Sequence, residues 1–294
     1  MTASITASAV RPAVVRRRTA ARRWLSRIPY AVLAIYAAVA VAGPLLVDYN
    51  PIQTDLANRL LKPGAHLSSG GTAWLGTDGL GRDIFAQLVY GARTSVLIGV
   101  STVVVSAVVG TAIGVTAGYF RGWLDTVLSR GIDILLAFPA ILLAIVIAGS
   151  FERSVVVVVG ALSATAWISF ARVTRGTALS VRERAWVDAA RVLGVKRRFI
   201  LIRHVLPFTA GPVVALATLE FALVVLAEAG LSFLGIGLPP SAVSWGQTIA
   251  NGKQYLATAW WISGLPGLAL SLLIVSIGIL GDQLTARFGR GQLR

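Results

Sequence analysis

Six runs of almost purely apolar residues constrain this chain more than any other feature. Each is long enough to form a helix that crosses roughly 30 Å of hydrocarbon, which takes about 20 residues. The composition agrees, because 56% of the 294 residues are hydrophobic and 13% are charged, against about 25% charged in soluble domains. We predict an all-α integral membrane protein with six transmembrane helices, at 29–48, 94–117, 131–149, 154–171, 208–235 and 262–281.

The basic residues predict how these helices are oriented. Lysine and arginine concentrate on the cytoplasmic side of membrane proteins, and here 21 of them fall on one side of the predicted helices and 6 on the other. Both termini and the 172–207 gap are therefore predicted to be cytoplasmic. Orientation in the membrane also accounts for the net charge of +15, so no nucleic-acid partner is expected.

Motifs for catalysis within the chain are missing. Cysteine is absent, and none of the three lysines, Lys62, Lys196 and Lys253, precedes the Ser or Thr that an ATP-binding loop requires. Neither histidine lies in a zinc-protease pattern, and no G-x-S-x-G segment occurs. We therefore expect no enzymatic activity, cofactor or metal in this chain.

One basic amphipathic stretch interrupts the apolar sequence, "WVDAARVLGVKRRFILIRHVLP" at 186–207. Gly194 is predicted to end a first short helix, a second is predicted from Lys196 to His204, and Pro207 is predicted to break the chain before the fifth transmembrane helix. We call this helix–Gly–helix loop, residues 182–207, the elbow. Its predicted apolar side consists of Val192, Leu193, Ile200 and Leu201.

The charges of the elbow suggest two possible roles. Asp188 is spaced to pair with Arg184 and Arg191 along one helical face. Such a loop can rest on anionic lipid headgroups or dock in a groove of a partner protein. Physical arguments alone leave both open.

Four stretches carry a resemblance to a known family. The pattern Asp188-Ala189-Ala190, Gly194 and Leu206-Pro207 resembles the E-A-A-x3-G-x9-[IH]-x-L-P loop of ABC importer permeases, with Asp188 in place of the usual Glu. The segments 74–100, 118–145 and 228–246 resemble the C-type permeases of dipeptide, oligopeptide and nickel transport. The residues after Gly281-Asp282 depart from the usual tail of those subunits.

The resemblance implies a type I ABC importer permease fold in a bacterial inner membrane. It implies a core at 94–281 with its coupling loop at 182–207, preceded by a basic tail (1–28), a first helix (29–48) and an external loop (49–93), and followed by a second tail (282–294). It also implies a second homologous permease in a heterodimer, cytoplasmic subunits that bind ATP and Mg, and an external solute-binding protein. The ATPase-coupling residues would be Asp188, Ala189, Ala190, Gly194, Leu206 and Pro207.

Three of the carboxyl groups within the predicted transmembrane helices carry specific expectations. Glu220 lies about 20 Å beyond Pro207 at 1.5 Å per residue, so it is expected either to line the translocation path or to hydrogen-bond a neighbouring helix. Glu228, nearer the outer end, is expected to have a structural role or to contact substrate. Asp133 is expected to form a local ion pair with Arg130.

Tryptophans, glycines and two segments between the predicted helices also lead to predictions. Trp245, Trp260 and Trp261 are expected in an interfacial aromatic belt, and the glycines of 108–119 are expected to pack helices closely. The segments 49–93, with the polar sequence "LGTDGLGRD", and 236–259 are expected to form a docking surface for the solute-binding protein.

The expected substrates are di- or oligopeptides, with nickel, haem or glutathione as alternatives carried by similar permeases. Two other classes of protein remain possible from the sequence. One is a self-contained secondary transporter or channel, which should show an inverted repeat and a buried ion relay; neither is evident. The other is a membrane scaffold for a cytoplasmic complex.

Overall fold

A computed structural model describes residues 27–47, 49–68 and 70–291, so the basic tail predicted at 1–28 lies almost wholly outside the described residues. Ten α-helices occupy most of the described chain. They are α1 (Ile28–Leu46), α2 (Ile84–Phe120), α3 (Gly122–Leu136), α4 (Ala140–Ser150), α5 (Val155–Arg182), α6 (Ala185–Val192), α7 (Arg197–Ile200), α8 (Leu206–Phe233), α9 (Trp245–Gly252) and α10 (Trp261–Gly291). A π-helical turn (Leu201–Val205) joins α7 to α8, and an antiparallel pair of short strands, β1 (Ala65–His66) and β2 (Thr72–Ala73), lies between α1 and α2.

The described residues contain five helical segments that are long and apolar enough to cross a membrane, which are α1, α2, α5, α10 and the continuous run from α7 to α8. The pair α3 and α4, which is bent by 85°, makes a sixth if it is counted as one crossing, in agreement with the six that the sequence predicts. Pro139 explains the break in the run predicted at 131–149, because proline lacks an amide donor and disfavours helical backbone in the residue before it.

Helix α2 begins ten residues before the predicted crossing. Asp83 caps it, since the Asp83 carboxylate accepts a hydrogen bond from the Phe85 amide at 2.9 Å. Burial raises the pKa of Asp83 above its ordinary value, and the backbone hydrogen bonds at the cap oppose that rise. Residues 84–93 therefore extend the helix beyond the predicted crossing.

Three glycines on α2 allow α2 and α5 to pack in close contact. Gly110, Gly114 and Gly118 follow at four-residue spacing, and a Cβ atom on any of them would overlap a backbone carbonyl oxygen of α5. Small residues at this spacing let two helix backbones approach closely in lipid. The prediction that these glycines pack the bundle is confirmed.

The end of the molecule opposite the elbow, here called the far end, has its own buried core. Ile84, Ala259, Trp261 and Ile262 form one apolar cluster there. The Trp245 indole is also buried and donates a hydrogen bond to the Leu88 carbonyl at 3.0 Å.

The expected aromatic belt is therefore wrong for two of its three tryptophans. Trp245 and Trp261 are 1% and 4% exposed, whereas Trp260 is 58% exposed. Trp245 packs in an apolar cluster with residues of α2, α8 and α10, and the Trp261 indole donates a hydrogen bond to the Thr77 carbonyl of the 49–83 segment. Composition alone does not reveal these contacts.

The α2–α5 contact generates a stability prediction. Gly114→Ala should lower the free energy of unfolding by about 1–3 kcal/mol, because the new methyl group must displace the α5 backbone. Gly176→Ala on α5 is the matched control, since nothing lies within 4 Å of the added methyl group and alanine is the better helix former. Thermal unfolding midpoints of the two purified variants in the same detergent check this; equal midpoints would contradict close packing at Gly114.

Candidate functional site: the elbow and two buried carboxyl groups

Gly194 ends the first arm of the elbow as the sequence predicts. Its φ is +77°, a conformation in which side chains other than glycine are disfavoured. The Gly194 amide donates to the Arg191 carbonyl at 3.0 Å and the Val195 amide donates to the Ala190 carbonyl at 3.1 Å. This is the Schellman arrangement that closes a helix C-terminus, so the direction of the turn is set by backbone hydrogen bonds.

The second arm of the elbow differs from its prediction. Pro207 does not break the chain; it lies in the first turn of α8, and Arg197–Phe233 is one continuous helix of 37 residues. The Leu206 amide donates to the Leu201 carbonyl, five residues back, within the π turn. Within this continuous helix Pro207 lacks an amide donor, and the π turn directly before it, with its hydrogen bond across five residues, accommodates the proline without ending the helix.

The elbow packs against the ends of α2 and α5 through an apolar core. Val187, Ile200 and Val205 are fully buried against side chains of α2 and α5. By contrast, Val192 and Leu193 are 88% and 81% exposed. The predicted apolar side is therefore wrong, because those two residues project from the tip while Ile200 faces the bundle.

The charged residues of the elbow are only partly arranged as predicted. Arg191 donates to the Asp188 carboxylate at 2.9 Å, and this pair is largely exposed. The Arg184 guanidinium instead lies 5.1 Å from the centre of the Phe208 ring. Of the remaining motif residues, Ala189, Leu206 and Pro207 are exposed and Ala190 is half-buried.

Glu228 is the more enclosed of the two glutamates on α8. It is 1% exposed, and its carboxyl accepts hydrogen bonds from Ser232 at 2.7 Å and from Ser95 of α2 at 3.3 Å. Ser244, the cap residue of α9, lies close to the same carboxyl. The carboxyl thus joins α8 to α2 at the far end, which fits the structural alternative for this residue.

Glu220 lies two turns closer to the elbow and has a different environment. It is 7% exposed and lines a cavity of about 260 Å³ at the bend between α3 and α4. Most of the lining is apolar, and Ser169 of α5 is the polar side chain close to the Glu220 carboxyl. Glu220 therefore lies at a cavity wall beside a neighbouring helix, and both of its expected roles stay predictions.

The centre of the segment "LGTDGLGRD" is buried instead of exposed, with Thr77 and Asp78 at 0% and 2% exposure, although Leu80 is 44% exposed. The Asp78 carboxylate accepts from the backbone amides of Leu80 and Arg82 at 2.8 and 2.9 Å, from Arg82 Nε at 2.7 Å, and from Gln87 Nε2 at 3.0 Å. The Thr248 hydroxyl of α9 continues this network to Gln87 Oε1 at 3.1 Å. The segment joins α2 to α9, so its polar residues are unavailable as a docking surface.

The ion pair expected at Asp133 does not form. Asp133 and Arg130 are both exposed; the pair at this end joins Asp125 of α3 to Arg175 of α5, with Arg175 Nη2 2.8 Å from Asp125 Oδ2. Spacing along one helix suggested Asp133, but the 50-residue separation of Asp125 and Arg175 leaves no local signal. Among the described residues, no group of three or more His, Cys, Asp or Glu side chains could hold a metal ion.

Comparisons with known proteins identify the class of protein. Residues 110–294 match the family described as binding-protein-dependent transport system inner membrane component. A solved structure, the MetNI methionine ABC transporter in inward-facing conformations, matches with a TM-score of 0.56 and 19% identity over 69% of this chain and 96% of that chain. The predicted ABC importer permease fold is confirmed.

Named relatives narrow the assignment. The chain is 40% identical to a peptide transport system permease protein of Brucella suis over 93% of this chain and 90% of the relative. It is 36% identical to the oligopeptide permease OppC of Mycobacterium tuberculosis over 92% of each, and 35% identical to the dipeptide permease DppC of Alkalihalophilus pseudofirmus over 86% of this chain and 81% of the relative. The chain belongs to the inner membrane component family of binding-protein-dependent importers.

Membership in this family establishes the general role of the chain. It is a multi-pass, non-enzymatic permease subunit of the inner membrane, without a cofactor of its own, and the ATPase activity of such systems lies in separate subunits. Permeases of this family work together with ATPase and binding-protein subunits.

Proposed function

We propose that this chain forms half of the translocation path for di- or oligopeptides, and that its elbow transmits the motion of a cytoplasmic ATPase to that path. The observation that carries the proposal is the continuous helix Arg197–Phe233, which joins the elbow directly to the cavity wall at Glu220. The names of the relatives support peptides as substrates.

The tip of the elbow supplies the contact with the ATPase. Val192 and Leu193 are the exposed apolar residues next to Gly194, and an apolar pair on a fixed turn fits a helix-in-groove contact. The coupling set is Asp188, Ala189, Ala190, Gly194, Leu206 and Pro207. ATP and Mg bind in the ATPase subunits, and ATP shifts the permease between conformations only as far as it favours the closed ATPase pair.

The remaining parts of the assembly follow from the family and from the charge distribution. A second, homologous permease completes the path as a heterodimer. Both termini are cytoplasmic, in keeping with the 21 to 6 distribution of basic residues. The solute-binding protein docks at the far end through exposed apolar residues instead of "LGTDGLGRD"; these are Ile52 (71% exposed), Leu56 (67%) and Trp74 (72%).

Glu220 gives the path a preference for cationic groups. Acidic side chains inside membrane proteins face a cavity or a partner and mark substrate pathways. Glu220 meets this description at the wall of an apolar cavity, whereas Glu228 is already saturated by hydroxyl groups. The amino terminus of a peptide is the cation that every unmodified substrate carries.

The coupling role of the elbow can be tested at Gly194. In liposomes containing the permease pair, the ATPase subunits and the binding protein, Gly194→Val should lower peptide uptake about tenfold. A β-branched residue at positive φ costs about 1–2 kcal/mol and turns the elbow away from its position.

Gly194→Asn is the matched control, because asparagine tolerates this backbone and nothing lies within 4 Å of the added Cβ. Equal uptake by the two variants would contradict the coupling role. Wild-type complexes that retain the ATPase but take up no peptide would instead indicate a scaffold.

A further prediction distinguishes the proposed substrate contact of Glu220 from the structural role of Glu228. Glu220→Gln should reduce uptake of a peptide with a free amino terminus about tenfold relative to its acetylated form, since one charge-assisted contact is lost. Glu228→Gln should leave that ratio unchanged and lower the thermal unfolding midpoint. Competitive uptake of the two labelled peptides measures the ratio; an unchanged ratio in Glu220→Gln would exclude the amine contact.

A further inference from the structure

Three arginines converge on a small recess at the base of the elbow. The recess measures about 100 Å³ and is lined by Tyr119 and Phe120 from the end of α2, Arg182 from the end of α5, and Arg191 and Arg197 from the two arms of the elbow. Its lining therefore comes from four separate helices.

The positive charge of this recess is only partly compensated. Arg191 pairs with Asp188 at 2.9 Å, and Arg182 donates to the Tyr119 carbonyl, a neutral acceptor. Arg197 is exposed and has no carboxylate partner among the described residues. The recess therefore combines three guanidinium groups with a single paired carboxylate, and an additional anion would relieve their mutual repulsion.

A buried hydroxyl group points to the same conclusion independently. Tyr119 is 3% exposed, and its hydroxyl has no hydrogen-bond partner within the part of the chain that the structure describes. The Arg191 guanidinium lies 5.9 Å from the centre of the same ring. A buried hydroxyl without a partner is costly, so an acceptor supplied by a ligand would satisfy it.

The position of the recess indicates where the anion comes from. Phe120 and Trp123, beside the junction of α2 and α3, are 42% and 76% exposed. Exposed aromatic residues at the end of a membrane-spanning helix mark the level of the lipid headgroups. Basic pockets between helices at this level bind acidic lipid headgroups.

We infer that the recess binds the phosphate group of an anionic phospholipid. The phosphate oxygens accept hydrogen bonds from the guanidinium groups of Arg182, Arg191 and Arg197 and from the Tyr119 hydroxyl. Because these residues belong to α2, α5 and both arms of the elbow, the bound lipid fastens the elbow to the bundle. The effect of that fastening on transport rests on the proposed coupling role, whereas the binding itself does not.

Binding is tested on the purified full-length chain without the ATPase. The chain is titrated with short-chain phosphatidylglycerol, with phosphatidylcholine as the neutral comparison, and the first bound lipid is followed by native mass spectrometry. Tyr119→Phe and Arg197→Gln should each weaken phosphatidylglycerol binding about tenfold, as expected for loss of one hydrogen bond to a charged group.

Arg198→Gln is the matched control, because Arg198 is exposed, adjacent in sequence and outside the recess. It should weaken binding by no more than about twofold. Unfolding midpoints equal to wild type show that the Tyr119→Phe and Arg197→Gln variants are folded.

Three outcomes would overturn the inference. Equal losses in Arg197→Gln and Arg198→Gln would show a diffuse basic surface instead of a site. Binding of inorganic phosphate at constant ionic strength, without binding of phosphatidylglycerol, would identify a soluble anion as the ligand. Variants that bind lipid like wild type but no longer retain the ATPase would show that the recess receives an acidic side chain of that subunit.

Discussion

The continuity of the helix from Arg197 to Phe233 is the constraint on which the rest of the structure depends. A break at Pro207 would leave the elbow as a loop hinged on the membrane domain. Instead, the π turn at Leu201–Val205 keeps the helix continuous up to the proline, so the second arm of the elbow and the membrane helix form one rod. Under the proposed coupling role, a displacement at the elbow would reach Glu220, about 20 Å beyond Pro207 along the rod, without a flexible joint between them.

A rod transmits motion only if its surroundings are fixed. Glu228 anchors its far end, because its carboxyl accepts hydrogen bonds from Ser95 of α2 as well as from Ser232 of α8 itself. The Asp78 network joins α2 to α9 beside this anchor. In the half of α2 nearer the elbow, the glycines of α2 allow close packing against α5. At the opposite end, the buried contacts of Val187, Ile200 and Val205 hold the elbow against both helices.

The parts of this architecture that depend on local sequence could be predicted. Apolar runs predicted six crossings, and the glycine in a basic stretch predicted where α6 ends, because both are properties of a few neighbouring residues. The motif segments predicted the family for the same reason. The role of Gly194 in coupling and that of Glu220 in the path remain proposals.

The predictions that depended on tertiary packing were wrong, and some contacts between distant segments were missed. Pro207 suggested a break in the helix before the fifth crossing, but the five-residue π turn at Leu201–Val205 accommodates the proline and the helix continues. Leu193 and Ile200 share apolar character, but only the fold decides that Leu193 projects outward while Ile200 is buried. Asp78 lies in the most polar far-end segment, which suggested a surface. Its hydrogen bonds to Arg82 and Gln87, and the bond from Thr248 to Gln87 across 161 residues, make it part of the interior. The partner of Asp125 was likewise 50 residues away.

The most direct test of the account uses the natural absence of cysteine in this chain. Leu193→Cys at the elbow tip and Val156→Cys at the far end place a single thiol at two positions that are 81% and 79% exposed in the unmodified chain. Each is labelled with a benzophenone maleimide and irradiated in the assembled complex. The account predicts that position 193 crosslinks to the ATPase subunit, with a yield that changes when ATP is added, and that position 156 does not crosslink to it. Attachment of position 193 to lipid alone would contradict the elbow as the transmitting contact.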